Sequence, residues 1–333
     1  MTTKTTKPIL STVELVRRYG GPISHAALDP NNLIFHSDDV VNGLITFRVI
    51  GRCAVVFGDP ICAPENSTTL ADAFSIYCDA KGWSIVYSAV SSVMQLYAKE
   101  HDYTSIEFAE LMMTNPQQDP EMGHPGHHLR QHLNLTRRAG VTVREYFGLT
   151  MPDILLEEQL EAVSKNWLAT RQGVQLYLGR PRLFDDKYGR RWFVAEQAGS
   201  VIGMLSMLNI NCLGSHNLIN LLLSSSSAPL YTRELMIASA LRIIRNEGSQ
   251  LICLSVGPLP ALKAITCRNT LSRLLSSTIY RLVAKIMNFR GRALFWKKFN
   301  VIRTEPMYLV FNSSRIGLRQ INALFWAFNL SVK

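Results

Sequence analysis

The same order of strand and helix signals occurs twice along the chain, and this repeat limits the fold more than any other feature of the sequence. The predicted elements of the first half are a hairpin at 44–57, a helix at 70–81, a strand at 83–90, a helix at 93–101 and a strand at 105–113. The second half repeats this approximate order between Trp192 and Phe311. Such alternation is typical of α/β units. We therefore expect two related α/β domains, residues 1–148 and residues 149–333.

Basic residues are concentrated at the C-terminal end of the chain. Residues 262–333 contain thirteen Lys or Arg and a single acid, Glu305, whereas the whole protein has a formal net charge of +10. The asymmetry indicates a basic face for a polyanion, either nucleic acid or acidic lipid. Large aromatic residues such as Trp296 and Phe299 lie among the charges, which is unlike a disordered basic tail. A generally cationic protein with solvated charges is the alternative.

Secretion, membrane-spanning and metal-binding signals are absent from the sequence. The N-terminus lacks the apolar run of a signal peptide, and no window of about 18 residues is continuously apolar. The six cysteines form no C-x-x-C pair and are expected to be reduced core residues of an intracellular protein. Four clustered histidines lack a carboxylate or cysteine at ligand spacing, so no metal site is predicted: His124, His127, His128 and His132.

Six short motifs follow one another in an order that resembles a known family. They are Val56–Pro60, Gly82–Ser88, Leu129–Gly140, Val163–Trp167, Val256–Leu259 and Phe295–Phe299. Each motif alone is weak, but the ordered series spans most of the chain. The set resembles the phosphatidylglycerol lysyltransferase catalytic-domain family, which includes the catalytic domain of multiple-peptide-resistance-factor proteins. Within that family the sequence is most similar to the free-standing fungal type associated with ergosteryl-glycine synthesis.

This resemblance implies a fold of two tandem acetyltransferase-like domains with mixed central sheets, similar to the Fem peptidyltransferases. It implies an enzyme that moves an amino acid, with glycine favoured, from aminoacyl-tRNA to a lipid hydroxyl, preferably the 3β-hydroxyl of ergosterol. The implied partners are aminoacyl-tRNA as co-substrate and a membrane lipid, without a cofactor or metal. The implied location is cytoplasmic, with peripheral contact to membranes or lipid droplets.

Three other functions stay open at this point. The first is an aminoacyl-phosphatidylglycerol synthase, the second is a protein or peptide N-acyltransferase, and the third is a non-catalytic tRNA- or membrane-binding module on the same fold. An acetyl-coenzyme A enzyme fits less well, because a Gly-rich turn usually precedes the helix that binds the pyrophosphate. The corresponding stretch, Ser224–Arg233, contains Pro229 and no glycine. An aminoacyl-tRNA ester is already activated, so its transfer depends on positioning and on stabilising the oxyanion.

The predicted catalytic residues come from two parts of the sequence. Lys297 and Lys298 match the basic motif that precedes a Phe in this family, and either one, preferably Lys297, is predicted to stabilise charge at the ribose leaving oxygen or the terminal phosphate. A solvated surface pair is the alternative. Asn220 falls where the bacterial enzymes place an acid for the α-ammonium group of the substrate, and an amide lacks that charge. Glu234, or residues of Ser224–Ser227, are candidates to compensate, and the alternative for Glu234 is an acid at a helix N-terminus.

Two groups of basic residues are predicted to bind the tRNA backbone. Arg130, Arg137 and Arg138 match an Arg-rich helix of the family, although simple helix-surface charge explains them equally well. Arg281 and Lys285 lie on a predicted helix of the basic C-terminal region, and the same role is expected of them.

Gly58, Asp59 and Pro60 form the predicted turn after the second strand. Both Gly and Pro interrupt a strand ladder, which makes this turn a structural motif. Asp59 is also a candidate acid, but its place in the turn explains it without chemistry.

Overall fold

The structure is a computed structural model that describes residues 11–37, 41–170, 183–184, 187–209, 214–215, 217–266, 277–278, 280–281 and 289–328. The strands in these ranges are β1 Leu33–Ser37, β2 Val41–Ile50, β3 Cys53–Phe57, β4 Ile61–Cys62, β5 Ser84–Val90, β6 Thr104–Thr114, β7 Val141–Tyr146, β8 Arg190–Gln197, β9 Ser200–Leu208, β10 Leu218–Ser224, β11 Ile252–Ile265 and β12 Val301–Phe311. The helices are α1 Thr12–Tyr19, α2 Ser67–Lys81, α3 Ser92–Glu100, α4 His127–Arg138, α5 Ile154–Thr170, α6 Thr232–Asn246, α7 Phe289–Lys297 and α8 Leu318–Ala327.

The described residues divide into two compact units, and each unit takes several segments of the chain. The first unit comprises Met1–Glu107, Lys263–Ser276 and Tyr308–Ala327, and the second comprises Phe108–Leu262, Ser277–Met307 and Phe328–Lys333. The division passes through β6, β11 and β12. It differs from the predicted division at residues 148 and 149, because β7 pairs with β8 along its whole length and so belongs to the second unit.

The first unit contains a mixed sheet with the strand order β1-β2-β3-β5-β12, and β4 pairs with β2. The pairs β2–β3 and β5–β12 are antiparallel, whereas β3–β5 is parallel. Strand β3 is buried at every position, as expected for a continuous apolar run in the middle of a covered sheet. Helix α2 contributes Leu70 and Phe74 to this core and ends at Gly82, whose φ is +65°.

The second unit contains the strand order β6-β11-β10-β9-β8-β7. The strands from β7 to β10 pair antiparallel, and β10 pairs with β11 in parallel. Helices α4 and α6 bury their apolar sides in the core of this unit. A Cβ atom at Gly203 of β9 would lie 3.1 Å from Met236 Cε of α6 and 3.0 Å from the Leu223 carbonyl oxygen. The glycine therefore allows α6 to pack closely on the sheet.

The strand pairings confirm the predicted α/β class with mixed sheets. Most of the predicted helix over 271–287 lies outside the described residues. Helix α8 falls within the predicted second domain, residues 149–333, but it belongs to the first unit. There Arg48 Nη1 donates a hydrogen bond to the Ala327 carbonyl oxygen at 3.0 Å. Among the helices that the structure describes, none combines the length and the apolar character needed to cross a membrane.

Candidate functional site

An unusual turn precedes helix α6. Tyr231, the residue before the helix, has a φ of +65°, a left-handed conformation that costs a non-glycine residue free energy. The hydroxyl of Thr232 donates to the Pro229 carbonyl oxygen at 2.7 Å, and Leu235 N–H donates to the Tyr231 carbonyl oxygen at 2.9 Å. Thr136 of α4 donates from its hydroxyl to the Leu230 carbonyl oxygen at 2.7 Å. These bonds fix the turn against α4.

An ion pair joins the first turn of α6 to the residue after α7. Lys298 Nζ lies 2.9 Å from Glu234 Oε1 and donates a hydrogen bond to it. The Glu234 side chain is 7% exposed and that of Lys298 is 35% exposed. A buried carboxylate needs such a partner, because an isolated charge is costly to remove from water. The pair therefore holds the ammonium of Lys298 in a defined place.

Aromatic rings surround this ion pair. Lys298 Nζ lies 5.5 Å from the centre of the Phe295 ring and 6.0 Å from that of Tyr231, both within the range of cation–π attraction. The Tyr231 ring stacks on His132 of α4, with a centroid distance of 3.8 Å and an angle of 4°. Arg233 lies over Phe295, with its guanidinium carbon 5.5 Å from the ring centre. We call Glu234, Lys298, Tyr231, His132 and Phe295 the α6 cluster.

Burial perturbs the pKa of His132 in the α6 cluster. Its Nδ1 atom is buried and has no hydrogen-bond partner among the described residues. Burial lowers the pKa of His132 below its ordinary value of 6.5, and the positive charge of Lys298 lowers it further, while Glu234 acts in the opposite direction. The neutral imidazole is thus the favoured form in the folded protein at neutral pH.

We expect His132→Phe to reduce the loss of stability at acidic pH. The unfolded chain takes up a proton at His132 at higher pH than the folded protein, so stability is lost as the pH falls below about 6.5. Phe keeps a flat ring against Tyr231 and removes this proton. Urea unfolding at about pH 7.5 and about pH 5.5 measures the difference. His127 is an exposed histidine of the same helix, so His127→Phe should lose as much stability between the two pH values as the wild type. An equal loss in His132→Phe would contradict the assignment.

The two predicted lysines have different environments. Lys297 ends α7 and is exposed, whereas Lys298 is half-buried in the turn that follows. Phe299 anchors this turn, because its side chain is 0% exposed and its carbonyl oxygen accepts a hydrogen bond from Thr114 Oγ1 at 2.8 Å. The structure therefore brings Lys298, and not the preferred Lys297, to Glu234.

Asn220 lies on the strand that leads to the α6 cluster. It is half-buried in β10, at the point where the register with β9 shifts between Ile219 and Leu221. Such a bulge re-aims the side chains beside it and is frequent next to functional sites. A catalytic role for Asn220 stays a prediction.

Two of the three arginines of α4 bind groups within the second unit. Arg130 donates from Nη1 to the Glu121 carbonyl oxygen. Arg137 binds the Glu121 carboxylate through both terminal nitrogens, at 3.1 and 3.2 Å. Arg138 is exposed in the last turn of α4. Of the three, Arg138 is therefore the best placed for an external phosphate, and tRNA binding by this helix stays a prediction.

The basic residues of the predicted C-terminal helix are only partly described. Arg281 is exposed, and its Nε donates to the Ser277 carbonyl oxygen at 3.3 Å. Lys285 lies outside the described residues. The structure thus gives a position for one of these two predicted tRNA contacts.

Gly58, Asp59 and Pro60 lie in the first unit, at the end of β3. Gly58 has a φ of +81°, and its N–H donates to the Ser88 carbonyl oxygen at 2.9 Å. Asp59 Oδ1 accepts a hydrogen bond from Ser91 N–H at 2.9 Å, just before α3. Burial raises the pKa of Asp59, while the bonds from Ser91 act in the opposite direction. In this structure the motif joins β3 to the start of α3.

Sequence reasoning singled out neither Tyr231 nor the stacking of His132 on it. The histidines of α4 were considered as metal ligands and set aside, and the described residues contain no group of three potential ligands. The left-handed turn at Tyr231 leaves no reliable signal, because non-glycine residues adopt it only when the surrounding structure imposes it. The position of Tyr231 just before Glu234 was the available clue.

Comparison with known proteins gives a family and a fold. Residues 13–311 match the family described as phosphatidylglycerol lysyltransferase, C-terminal. The lysylphosphatidylglycerol biosynthesis bifunctional protein LysX of Mycolicibacterium vanbaalenii is 28% identical over 198 residues, which cover 58% of this chain and 18% of that protein. The LysX protein of Mycobacterium marinum is 27% identical over 210 residues, which cover 61% of this chain and 18% of that protein. The matches thus span less than a fifth of these relatives.

Two solved structures share the fold. The structure of L-PGS from Bacillus licheniformis has a TM-score of 0.76 at 18% identity and covers 96% of this chain and 95% of that one. The C-terminal domain of a protein described as a lysylphosphatidylglycerol synthetase from Agrobacterium fabrum has a TM-score of 0.75 at 20% identity, with 95% and 96% covered. Because the family match extends over nearly the whole chain, this protein belongs to the phosphatidylglycerol lysyltransferase C-terminal family.

Proposed function

We propose that this protein transfers an aminoacyl group from aminoacyl-tRNA to the hydroxyl of a membrane lipid. The family supports the reaction class, since its curated relatives are named for lysylphosphatidylglycerol biosynthesis. In this chain the proposal rests on the ion pair between Lys298 and the buried Glu234, whose Nζ and Oε1 atoms are 2.9 Å apart. A charge fixed in this way is suited to a transition state that develops negative charge.

The transfer requires that the two substrates are positioned and that the developing negative charge is stabilised. The lipid oxygen attacks the carbonyl carbon of the aminoacyl ester, a new ester bond forms, and the bond to the tRNA ribose oxygen breaks. The proton of the lipid hydroxyl ends on the ribose oxygen. An ammonium group has more N–H donors than the one that Lys298 gives to Glu234, so another can stabilise the developing oxyanion. The apolar rings of Tyr231 and Phe295 lie beside the ammonium and strengthen this interaction.

Glu234 has two uses in this proposal. It orients Lys298, and its carboxylate offers a charged partner for the α-ammonium group of the transferred amino acid. The second use would compensate for Asn220, which has no charge. The cluster of basic residues in the C-terminal 72 positions is expected to attract the tRNA backbone.

For the identity of the amino acid and of the lipid acceptor, the proposal follows the sequence resemblance. We propose glycine as the amino acid and a sterol 3β-hydroxyl as the acceptor, at a cytoplasmic membrane surface or lipid droplet. Phosphatidylglycerol is the second candidate acceptor, and the names of the relatives favour it. The two acceptors share only the hydroxyl that attacks the ester, so they are distinguished by the product.

The test is to incubate the protein with charged total tRNA and vesicles that contain both ergosterol and phosphatidylglycerol, and then to analyse extracted lipids by mass spectrometry. We expect an aminoacylated lipid that disappears when the tRNA is deacylated beforehand. Its mass identifies the amino acid and the acceptor together. No aminoacylated lipid of either kind, from a protein that is folded by circular dichroism, would refute the proposed reaction.

A further inference from the structure

The turn between β7 and α5, together with the first two residues of α5, exposes five apolar side chains within nine residues. Phe147, Leu149, Met151, Ile154 and Leu155 are each between 52% and 72% exposed. Apolar side chains scattered singly on a surface are ordinary, whereas several exposed within a few residues of one another are typical of an interface. We call these five residues the apolar turn.

Hydrogen bonds hold the backbone of the apolar turn in place. Met151 N–H donates to the Phe147 carbonyl oxygen at 2.8 Å. The buried Tyr146 accepts a hydrogen bond from Asp153 N–H at 2.8 Å and donates from its hydroxyl to Glu157 Oε1 at 2.6 Å. The apolar side chains are therefore exposed by an ordered turn, and their outward direction is a property of the fold.

Acids outnumber bases along the apolar turn and the α5 residues that follow it. The sequence has no Lys or Arg between Tyr146 and Lys165, and it has four acids there: Asp153, Glu157, Glu158 and Glu161. Glu157 is neutralised by Lys187, with 2.5 Å between Nζ and Oε1, and Lys165 lies 3.7 Å from Glu161. The remaining negative charge would be repelled by an anionic membrane. Contact through this surface must therefore come from the apolar side chains.

We propose that the apolar turn inserts into the interface of a bilayer with neutral, zwitterionic headgroups. The proposal rests on the proposed function, because an enzyme whose acceptor is a lipid must reach that lipid at a membrane surface. Side chains that project from a turn and the first residues of a helix suit insertion between headgroups. The local acids explain why a neutral surface is preferred over an anionic one.

The test is flotation of the full chain with vesicles of phosphatidylcholine alone, at physiological salt. We expect the wild-type protein to float with the vesicles, and we expect Ile154→Asp combined with Leu155→Asp to lower the vesicle partition coefficient at least roughly tenfold. An Asp in the first turn of α5 is compatible with the helix dipole, so the double variant is expected to fold. Its melting temperature and circular dichroism verify this.

Ile76→Asp is the matched control. Ile76 is 71% exposed, the same as Leu155, but it lies on α2 in the first unit, so this variant should float like the wild type. Three results would overturn the proposal: no flotation of the wild type on phosphatidylcholine, equal loss in Ile76→Asp, or flotation of the double variant at the wild-type level. A fourth would be a wild-type dimer that the double variant converts to monomer, because the apolar turn would then bind a second copy.

Failure of this proposal and failure of the proposed reaction are distinguishable. Aminoacyl transfer to a detergent-dispersed lipid requires no bilayer, and there the double variant should match the wild type. Transfer in detergent without flotation refutes the membrane surface alone. Flotation without any transfer refutes the reaction and leaves the apolar turn as a membrane contact.

Discussion

Lys298→Ala is expected to lower kcat for aminoacyl transfer roughly 10²–10³-fold, which is the usual effect of removing one positioned group that stabilises an oxyanion. The ammonium of Lys298 is held 2.9 Å from a buried carboxylate and beside two aromatic rings, so its position is fixed before the substrate binds. An interaction of this kind acts on the transition state, and therefore kcat should fall more than the affinity for tRNA. Steady-state transfer of labelled amino acid to lipid measures both quantities.

Lys297→Ala is the matched control for this prediction. The neighbouring lysine carries the same charge but is exposed at the end of α7, whereas Lys298 is half-buried in the turn that follows. We expect its kcat to stay close to that of the wild type, with at most a modest rise in KM for tRNA. If Lys297→Ala loses activity and Lys298→Ala keeps it, the assignment of the catalytic lysine is wrong.

Phe299→Ala is expected to lower the free energy of unfolding by about 3–5 kcal/mol, the typical effect of emptying a fully buried aromatic site. Phe299 is 0% exposed, its ring centre lies 5.8 Å from that of Phe295 and 6.3 Å from that of Trp296, and its carbonyl oxygen is bonded to Thr114. Chemical denaturation measures the loss. Leu294 lies on α7 and is 57% exposed, so Leu294→Ala should cost far less, and equal losses would contradict the packing described.

Much of the secondary structure was predictable from local pattern. The hairpin of β2 and β3 follows from two apolar runs around Gly51, and α2 was predicted to end at Gly82, where the structure has a left-handed glycine. The division into units was not predictable in this way. Strand β12 ends in the first unit because Tyr308–Phe311 pair with β5, more than 200 residues earlier in the chain. Such long-range pairing has no local signal.

The α6 cluster was predictable only in part. Lys298 was a candidate from a family motif and Glu234 a candidate to compensate for Asn220, but their separation in sequence gave no reason to expect an ion pair. The choice between Lys297 and Lys298 depended on the turn anchored by Phe299, since a change of one residue alters the direction of the side chain. Tyr231 joins the cluster through a backbone conformation that tertiary packing imposes.

The central claim is that Lys298 and Glu234 act as one catalytic unit, and a double-mutant cycle on kcat tests it most directly. Lys298→Ala, Glu234→Ala and the double variant are compared with the wild type in single-turnover transfer from aminoacyl-tRNA to lipid. The contact of Glu234 with the α-ammonium group contributes to substrate binding, so the rates are compared at saturating aminoacyl-tRNA. If the pair acts as a unit, each single variant already loses most of the effect, and the double variant is about as slow as Lys298→Ala. Independent losses that multiply in the double variant, or full activity in Glu234→Ala, would contradict the account.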